Sequence, residues 1–130
     1  MKILVTYAFD EEILPFTIKD CELTFLKTGM GKVFSAFNLT KALCNEKYDL
    51  VLNVGTAGTL NHNVGDIFVC HRFIDRDMEK ITFPKVCSDI SFPEKKGIDL
   101  IDNYNKPGVC NTGDSFVTEV GNFTGDVIDM

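Results

Sequence analysis

The residues best suited to chemistry stand where predicted strands end. Glu12 closes an acidic run shortly after the β-rich segment Ile3-Leu4-Val5. The glycine turns Gly29-Met30-Gly31 and Gly55-Thr56-Ala57-Gly58 follow two further apolar runs. Glycines directly after a strand let backbone amides approach a ligand at the carboxyl end of a sheet. Taken singly, each turn is equally well explained without a ligand, and Glu12 alone is better explained as an acid in the first turn of a helix.

Other candidate groups are weaker. Asp75 and Asp77 form a DxD pair, for which a solvated loop is a better interpretation than a cation site. The two histidines are isolated, and the cysteines are widely spaced without a CxxC motif, so neither a disulfide framework nor a zinc site is indicated. We therefore predict no metal and no cofactor. The residues concerned are Cys21, Cys44, Cys70, Cys87, Cys110, His62 and His71.

The elements that must position these groups follow from hydrophobic periodicity. The first strand leads into a short helix limited by Pro15, and Cys21 to Leu26 alternates as a second strand would. From Lys32, apolar residues at helical spacing predict an amphipathic helix. Leu50 to Val54 is a nearly continuous apolar run, typical of a strand buried on both faces. Further strands are predicted at Asp66 to Cys70, Val109-Cys110 and Val127-Ile128.

The remaining sequence lacks long periodicity. Asp75 to Pro107 is predicted to be a long connection, with a short helix near Ile98 to Tyr104. The order of elements indicates one mixed α/β domain over residues 1–130. Gly125 to Met130 has the pattern of a buried strand interrupted midway, so we expect the natural fold to continue past Met130.

Composition narrows the function classes. The 130 residues are 45% hydrophobic and 25% charged, as in soluble globular proteins. A net charge of -6 and a pI near 4.8 argue against a nucleic-acid partner, which would require clustered Lys and Arg. The sequence offers no apolar run typical of a signal peptide or a membrane span, so we expect a cytoplasmic protein without membrane contact.

Six segments, taken in order, resemble the methylthioadenosine/S-adenosylhomocysteine nucleosidases of the purine nucleoside phosphorylase superfamily. Each motif alone is weak, but the similarity runs over nearly the whole chain in the family's order. It implies a three-layer α/β/α fold with a mixed, twisted central sheet, from which the last strand and helices are missing. The segments are Ala8 to Glu12, Leu26 to Val33, Asn53 to Gly58, Val64 to Ile67, Thr112 to Val117 and Val127 to Met130.

The resemblance also implies a role for each matching residue. Glu12 corresponds to the carboxylate that activates the attacking water. The implied substrate contacts are Phe9 and Met30 around the ribose and its 5′ substituent, Thr56 beside ribose and water, Ala57 and Gly58 along the purine, Phe116 stacked on the base, the Val117 backbone at the base edge, and Met130 beneath the ribose. The implied ligand is a purine nucleoside, the implied process methionine salvage, and the implied assembly a homodimer.

The chemistry suits these residue types. Cleavage of an N-ribosidic bond passes through an oxocarbenium-like state, so one carboxylate must prepare water while an acid protonates the leaving base. Two departures from the family matter. The chain is short between Ile13 and Cys21, near the 5′ side of the pocket, and the family's ribose-clamping Glu and purine-protonating Asp would lie after Met130. We therefore expect little or no turnover from these 130 residues alone.

Two alternatives differ in chemistry. A purine nucleoside phosphorylase would need cationic side chains for phosphate, for which arginine is the usual choice. The sequence offers only Arg72 and Arg76, and it has Asn53 where related phosphorylases typically carry an arginine, so water is the favoured nucleophile. The second alternative is a catalytically inactive fragment or binding remnant of the fold. The reading frame beyond Met130 would discriminate between it and an enzyme.

Overall fold

A computed structural model of the chain describes residues 1–81, 87–91, 106–118, 121 and 123–130. These residues divide into two units, Met1–Thr56 and Ala57–Met130. Each unit has its own sheet, and each is described by itself below. The expectation of one domain over residues 1–130 stays a prediction.

The first unit is built on a fully parallel sheet of three strands in the order β2-β1-β3. A short 3₁₀-helix follows β1, and α1 connects β2 to β3 across the central strand, since parallel strands of one sheet cannot be joined by a tight hairpin. Its elements are β1 (Lys2–Tyr7), the 3₁₀-helix (Asp10–Glu12), β2 (Glu22–Lys27), α1 (Lys32–Asn45) and β3 (Leu50–Asn53).

The core of this unit is the central strand. Ile3, Leu4 and Val5 are each at most 1% exposed, so consecutive side chains on opposite faces of β1 are buried. The sequence assigned that double burial to the run beginning at Leu50, and this was wrong. β3 is an edge strand of the described sheet, its residues alternate between half-buried and exposed, and Val51 is 37% exposed.

Helix α1 lies where the periodicity predicts it, but its apolar stripe is largely exposed. Val33, Phe34 and Phe37 are between 65% and 77% exposed, and α1 has no fully buried residue. The side-chain amide of Asn38 donates to the Thr28 carbonyl at 2.8 Å. This hydrogen bond marks the side of the helix that faces the end of β2. Phe34 lies one turn before Asn38 on this same side, whereas Val33 and Phe37 lie on other sides, and all three are exposed. The amphipathic pattern is therefore present, but its apolar residues are not buried within this unit.

The second unit carries a four-stranded mixed sheet in the order β5-β4-β6-β7. β4, β6 and β7 are parallel, while β5 runs antiparallel to β4 at the edge. Its elements are β4 (Phe68–Asp75), α2 (Arg76–Glu79), β5 (Asp89–Ser91), β6 (Lys106–Thr112) and β7 (Val127–Asp129). The predicted α/β class is thereby confirmed, and the mixed sheet belongs to this unit.

Some boundaries differ from the sequence prediction. β4 begins two residues later than expected and continues to Asp75, because His71 and Arg72 are accommodated in the strand although they interrupt its apolar pattern. Two short elements, α2 and β5, lie within what was predicted to be a connection. The helix predicted near Ile98 to Tyr104 falls outside the described residues.

Candidate active site

Glu12 is surrounded by hydrogen-bond donors at the carboxyl end of β1. Its Oε2 accepts from the backbone N–H groups of Ala8 and Phe9, each at 3.1 Å. Its Oε1 accepts from the backbone N–H of Thr56 at 2.9 Å and from the Thr56 hydroxyl at 2.7 Å. A carboxylate has about four lone-pair positions, so these four donors fill them all.

This meeting of residues 44 positions apart follows from the parallel sheet. The N–H of Val54 donates to the Thr6 carbonyl at 2.8 Å, which extends the pairing of β1 and β3 by one residue. The two strands therefore end side by side, and Thr56 emerges beside the turn that carries Glu12. Gly55 has no side chain, and a Cβ there would lie 3.5 Å from Oε1 of Glu12. One side of the carboxylate is thus left uncovered.

The hydrogen bonds determine the charge state of Glu12. Burial on its own raises the pKa of this carboxyl, because a charged group loses solvation. The donors from Thr56, Phe9 and Ala8 act in the opposite direction and outweigh burial, so the pKa of Glu12 lies below its ordinary value. The side chain is therefore an ionised hydrogen-bond acceptor at neutral pH.

The other predicted contacts of the first unit lie at the same edge of its sheet. The N–H and hydroxyl of Thr28 both donate to the Tyr7 carbonyl, at 2.8 and 3.1 Å. The turn containing Met30 therefore leaves β2 beside the turn containing Phe9. Both side chains project substantially into solvent, at 43% and 42% exposure. The structure brings Glu12 and Thr56 into direct contact, whereas the ligand roles of Phe9 and Met30 stay predictions.

In the second unit, the predicted purine turn lies against the last strand. Gly58 and Ile128 exchange two backbone hydrogen bonds of 2.8 Å, which places Ala57-Gly58 beside β7 and near Met130. Phe116 is 76% exposed and Val117 is half-buried in the segment that follows β6. An exposed aromatic ring has the surface needed to stack on a base, but the roles assigned to these residues stay predictions.

Sequence reasoning considered the two arginines only as possible phosphate ligands. Arg72 forms an ion pair with Asp89 on the surface. Arg76 is 3% exposed and donates to the carbonyls of Asn111, Ser115 and Asp129. No sequence signal indicated this, because backbone carbonyls are available everywhere and leave no residue pattern.

The acidic residues of the DxD pair have structural partners. Asp75 is the N-cap of α2 and accepts from the N–H groups of Asp77 and Met78 at 3.0 and 3.1 Å. Asp77 accepts from the N–H of Asp114 at 2.7 Å. Within residues 1–81, 87–91, 106–118, 121 and 123–130, no cluster of three or more His, Cys, Asp or Glu is arranged to hold a metal ion.

The contact between His62 and Asp126 was also not predicted from the sequence. His62 and Asp126 approach to 3.3 Å, and the His62 ring lies 4.6 Å from the ring of Phe68. The phenyl ring of Phe68 in turn crosses Gly108, where a Cβ would sit 2.8 Å from it, so only glycine fits there without a shift. The two side chains are 64 residues apart, too distant for sequence spacing to relate them.

Burial raises the pKa of Cys110 to about 12, so this thiol is protonated at neutral pH and packs as a small apolar side chain. Of the described helices, none has the length and apolar character needed to cross a membrane.

Comparison with known proteins shows which family this chain is similar to. The sequence model of the phosphorylase superfamily matches residues 10–122. The 5′-methylthioadenosine/S-adenosylhomocysteine nucleosidase of Bacillus velezensis is 30% identical, with 92% of this chain and 67% of that protein covered. The enzyme of the same name from Bacillus licheniformis is 33% identical, with 64% of this chain and 46% of that protein covered. The chain therefore spans about half to two thirds of the length of these relatives.

Solved structures agree at the level of the fold. A mutant of the Helicobacter pylori enzyme MTAN, solved with 5′-methylthioadenosine in its active site, superimposes with a TM-score of 0.76 at 20% identity, covering 99% of this chain and 74% of the other. The resemblance deduced from the six segments is confirmed. The chain belongs to the phosphorylase superfamily and, within it, to the 5′-methylthioadenosine/S-adenosylhomocysteine nucleosidase family.

Proposed function

We propose that this chain carries the water-activating part of a purine nucleosidase, which hydrolyses the N-ribosidic bond of methylthioadenosine, S-adenosylhomocysteine or a related purine nucleoside. The observation that carries the proposal is the Glu12 carboxylate, ionised and surrounded by four donors beside an uncovered Gly55. An ionised carboxylate can accept a proton from water as the water attacks the ribosyl carbon.

All four hydrogen-bonding positions of the Glu12 carboxylate are occupied, so a water can bind to it only if one donor moves away. Three of the four donors are backbone N–H groups, which cannot turn away unless the chain moves. The fourth is the Thr56 hydroxyl, which can rotate about its own bond. We propose that this hydroxyl rotates away from Glu12, so that the water donates to Oε1 in its place. The rotation releases one lone pair on Oε1 of Glu12, which then takes the proton.

The residues of the second unit are proposed to serve the base and the ribose. Phe116 would stack on the purine, the Val117 backbone and the turn Ala57-Gly58 would bind its edge, and Met130 would contact the ribose. The exposure of Phe116 and the pairing of Gly58 with β7 support these roles, and the family's sequence motifs assign them. In the first unit, Phe9 and Met30 are proposed to line the ribose and its 5′ substituent.

Phosphorolysis is not favoured. The guanidinium of Arg76 is buried on three carbonyls, and that of Arg72 is paired with Asp89. Asn53 stands where related phosphorylases typically have an arginine, and its Oδ1 accepts from the Thr6 hydroxyl at 2.9 Å. Both arginines of the chain thus have partners other than a phosphate, so water remains the better nucleophile.

The assay that tests the proposal follows the sugar product. The protein encoded by the complete reading frame is incubated with methylthioadenosine, with and without phosphate, and the products are separated. Hydrolysis gives free adenine and a reducing sugar without any need for phosphate. Formation of a sugar 1-phosphate that requires phosphate would overturn the proposal in favour of a phosphorylase.

The role of Glu12 is tested by replacing it with the neutral isostere. Glu12→Gln should lower kcat by roughly a hundredfold or more, the size expected for loss of a general base. Glu11→Gln is the matched control, because Glu11 is an exposed neighbour in the same 3₁₀-helix. Equal activity in both variants would exclude Glu12 as the base.

A homodimer, a cytoplasmic location and a place in methionine salvage are further proposals that follow from the family resemblance. The apolar stripe of Val33, Phe34 and Phe37 supports self-association, since a second copy would remove this exposed surface from water. Light scattering on the purified protein tests the dimer, and fractionation of cells tests the location.

A further inference from the structure

We propose that Arg76 is a positioning residue that fixes the segment Gly113–Val117, here called the base loop, in the conformation that presents Phe116 and Val117 to a purine. The inference rests on the proposed function for the identity of the ligand. Its structural part depends only on contacts within the second unit.

The guanidinium of Arg76 joins three backbone segments. Its Nη1 donates to the carbonyls of Asn111 at 3.1 Å and Asp129 at 2.6 Å, and its Nη2 donates to the carbonyl of Ser115. Asn111 and Asp129 lie near the ends of the neighbouring strands β6 and β7. Ser115 is the residue directly before Phe116. A single planar side chain therefore ties the base loop to the ends of two strands.

Only arginine has the geometry for this contact. Its guanidinium presents donors in a fixed plane and is charged at any physiological pH. The ammonium group of lysine is a single compact point and cannot reach three carbonyls spread over the same plane. At 3% exposure, the Arg76 side chain also has little water to replace a lost partner.

The base loop is close-packed on this guanidinium. A Cβ at Gly113 would lie 2.5 Å from both Cζ and Nε of Arg76, so the loop can cross the guanidinium only because residue 113 is glycine. The start of the loop is fixed from the same short helix, since Asp77 accepts from the N–H of Asp114. Asp75 in turn caps that helix. The Asp75-Arg76-Asp77 segment thus binds the loop at two successive points.

The loop is exposed apart from its buried first residue Gly113 and the half-buried Val117. Asp114, Ser115 and Phe116 are all exposed and lie outside any helix or strand. A ring that must stack on a base pays less entropy when its backbone is already ordered, so a fixed loop favours binding. Loss of the Arg76 contact should therefore mobilise Phe116 and weaken purine binding while the strands remain paired.

The test uses a fluorophore placed in the loop. The sequence contains no tryptophan, so Phe116→Trp provides a single emitter at that position. This reporter is made in three backgrounds: otherwise native, with Arg76→Lys, and with Arg72→Lys. The last is the matched control, since Arg72 lies on the surface and pairs with Asp89. Circular dichroism establishes that each variant is folded, and time-resolved anisotropy without ligand then measures the mobility of the loop.

We expect Arg76→Lys to increase the nanosecond component of the anisotropy decay and Arg72→Lys to leave it unchanged. Adenine, titrated by quenching of the same tryptophan, should bind up to about tenfold more weakly to the Arg76→Lys background, the effect expected when binding must order one mobile side chain. If Arg76→Lys does not fold, Asp77→Ala replaces it, because it removes the acceptor for Asp114 while leaving Arg76, and the same two changes are expected.

The outcomes separate the two proposals. An unchanged loop in Arg76→Lys overturns this inference. A mobile loop with unaltered adenine affinity overturns it as well, because Arg76 would then order the loop without serving the base. Absence of adenine binding in the native background, together with a loop that responds to Arg76→Lys, would instead refute the purine ligand of the proposed function.

Discussion

Glu12 in the first unit and Arg76 in the second are both charged groups held largely by the backbone. The carboxylate accepts from three N–H groups and one hydroxyl, and the guanidinium donates to three carbonyls. They differ in access and in partner. Glu12 is half-buried, and the Thr56 hydroxyl among its partners can rotate, whereas Arg76 is 3% exposed and, among the described residues, its partners are backbone carbonyls. A charged group that can exchange a partner is able to react, and one that cannot is structural.

The largest effect expected from this comparison is on stability. Arg76→Met would leave three carbonyls without this donor, and we expect a loss of about 3 kcal/mol in the free energy of unfolding, since each buried acceptor left unsatisfied costs about 1–3 kcal/mol. Arg72→Met removes an exposed ion pair and should change stability far less. Urea unfolding monitored by circular dichroism measures both. Equal losses would show that the burial of Arg76 has no energetic importance.

A smaller loss is expected when the space above the guanidinium is filled. Gly113→Ala places a Cβ against Arg76, and the side chain must shift to admit it. We expect about 2 kcal/mol of destabilisation, typical of overpacking. Gly55→Ala is the control, because a Cβ at Gly55 meets Glu12 only at ordinary contact distance. Gly65→Ala is unsuitable as a control, because the positive φ of Gly65 would itself strain an alanine. Unfolding of Gly113→Ala at the same denaturant midpoint as Gly55→Ala would contradict the close packing.

The first unit provides a prediction on charge. Thr56→Val removes the hydroxyl that donates to Glu12, so the pKa of Glu12 should rise from its lowered position toward the ordinary value. Thr56→Ser keeps the hydroxyl and should leave the pKa of Glu12 nearly unchanged. A carbon-13 titration of the glutamate carboxyls reads this directly. If both variants titrate alike, the Thr56 hydroxyl does not stabilise the charged form.

The lowered pKa of Glu12 also makes the stability of the fold depend on pH. Since the pKa of Glu12 is lower in the folded state than in the unfolded state, its contribution to stability is present above the unfolded value. That contribution is lost as pH falls through the folded value. In Thr56→Val the two values lie closer together, so less stability should be lost over this acidic range.

The contrast between the two sites also shows what sequence can predict. Glu12 and Thr56 were found because both stand directly after strands of one parallel sheet, within motifs whose order resembles a family. The parallel strands β1, β2 and β3 follow from continuous or alternating apolar runs, which is why their bounds were nearly right. Such signals are local, because they depend on the types of residues that are close together in the sequence.

The missed features depend on long-range geometry. The partners of Arg76 are carbonyls, which every residue has, so no pattern could indicate them. The exposure of the apolar stripe of α1 was also missed, because periodicity indicates which residues share a helix face and not what that face contacts. The edge position of β3 is set by strand order, which periodicity does not encode. The types of the elements could therefore be predicted from the sequence, whereas the groups that they contact could not.

The smallest expected effect concerns the pair of His62 and Asp126. The N–H of Val109 donates to Asp126 at 2.9 Å and lowers the pKa of that carboxyl; burial opposes this shift and His62 adds to it. Stability contributed by Asp126 should therefore be present above its unfolded pKa and lost as pH falls through its lowered folded value. Asp126→Asn removes this titration, so its stability should decline less on acidification than that of the native chain. Asp20→Asn controls for the loss of one exposed carboxylate. If the stability of the native and Asp126→Asn proteins declines equally on acidification, the charge of Asp126 contributes nothing to stability. Asp126 would then differ from both Glu12 and Arg76.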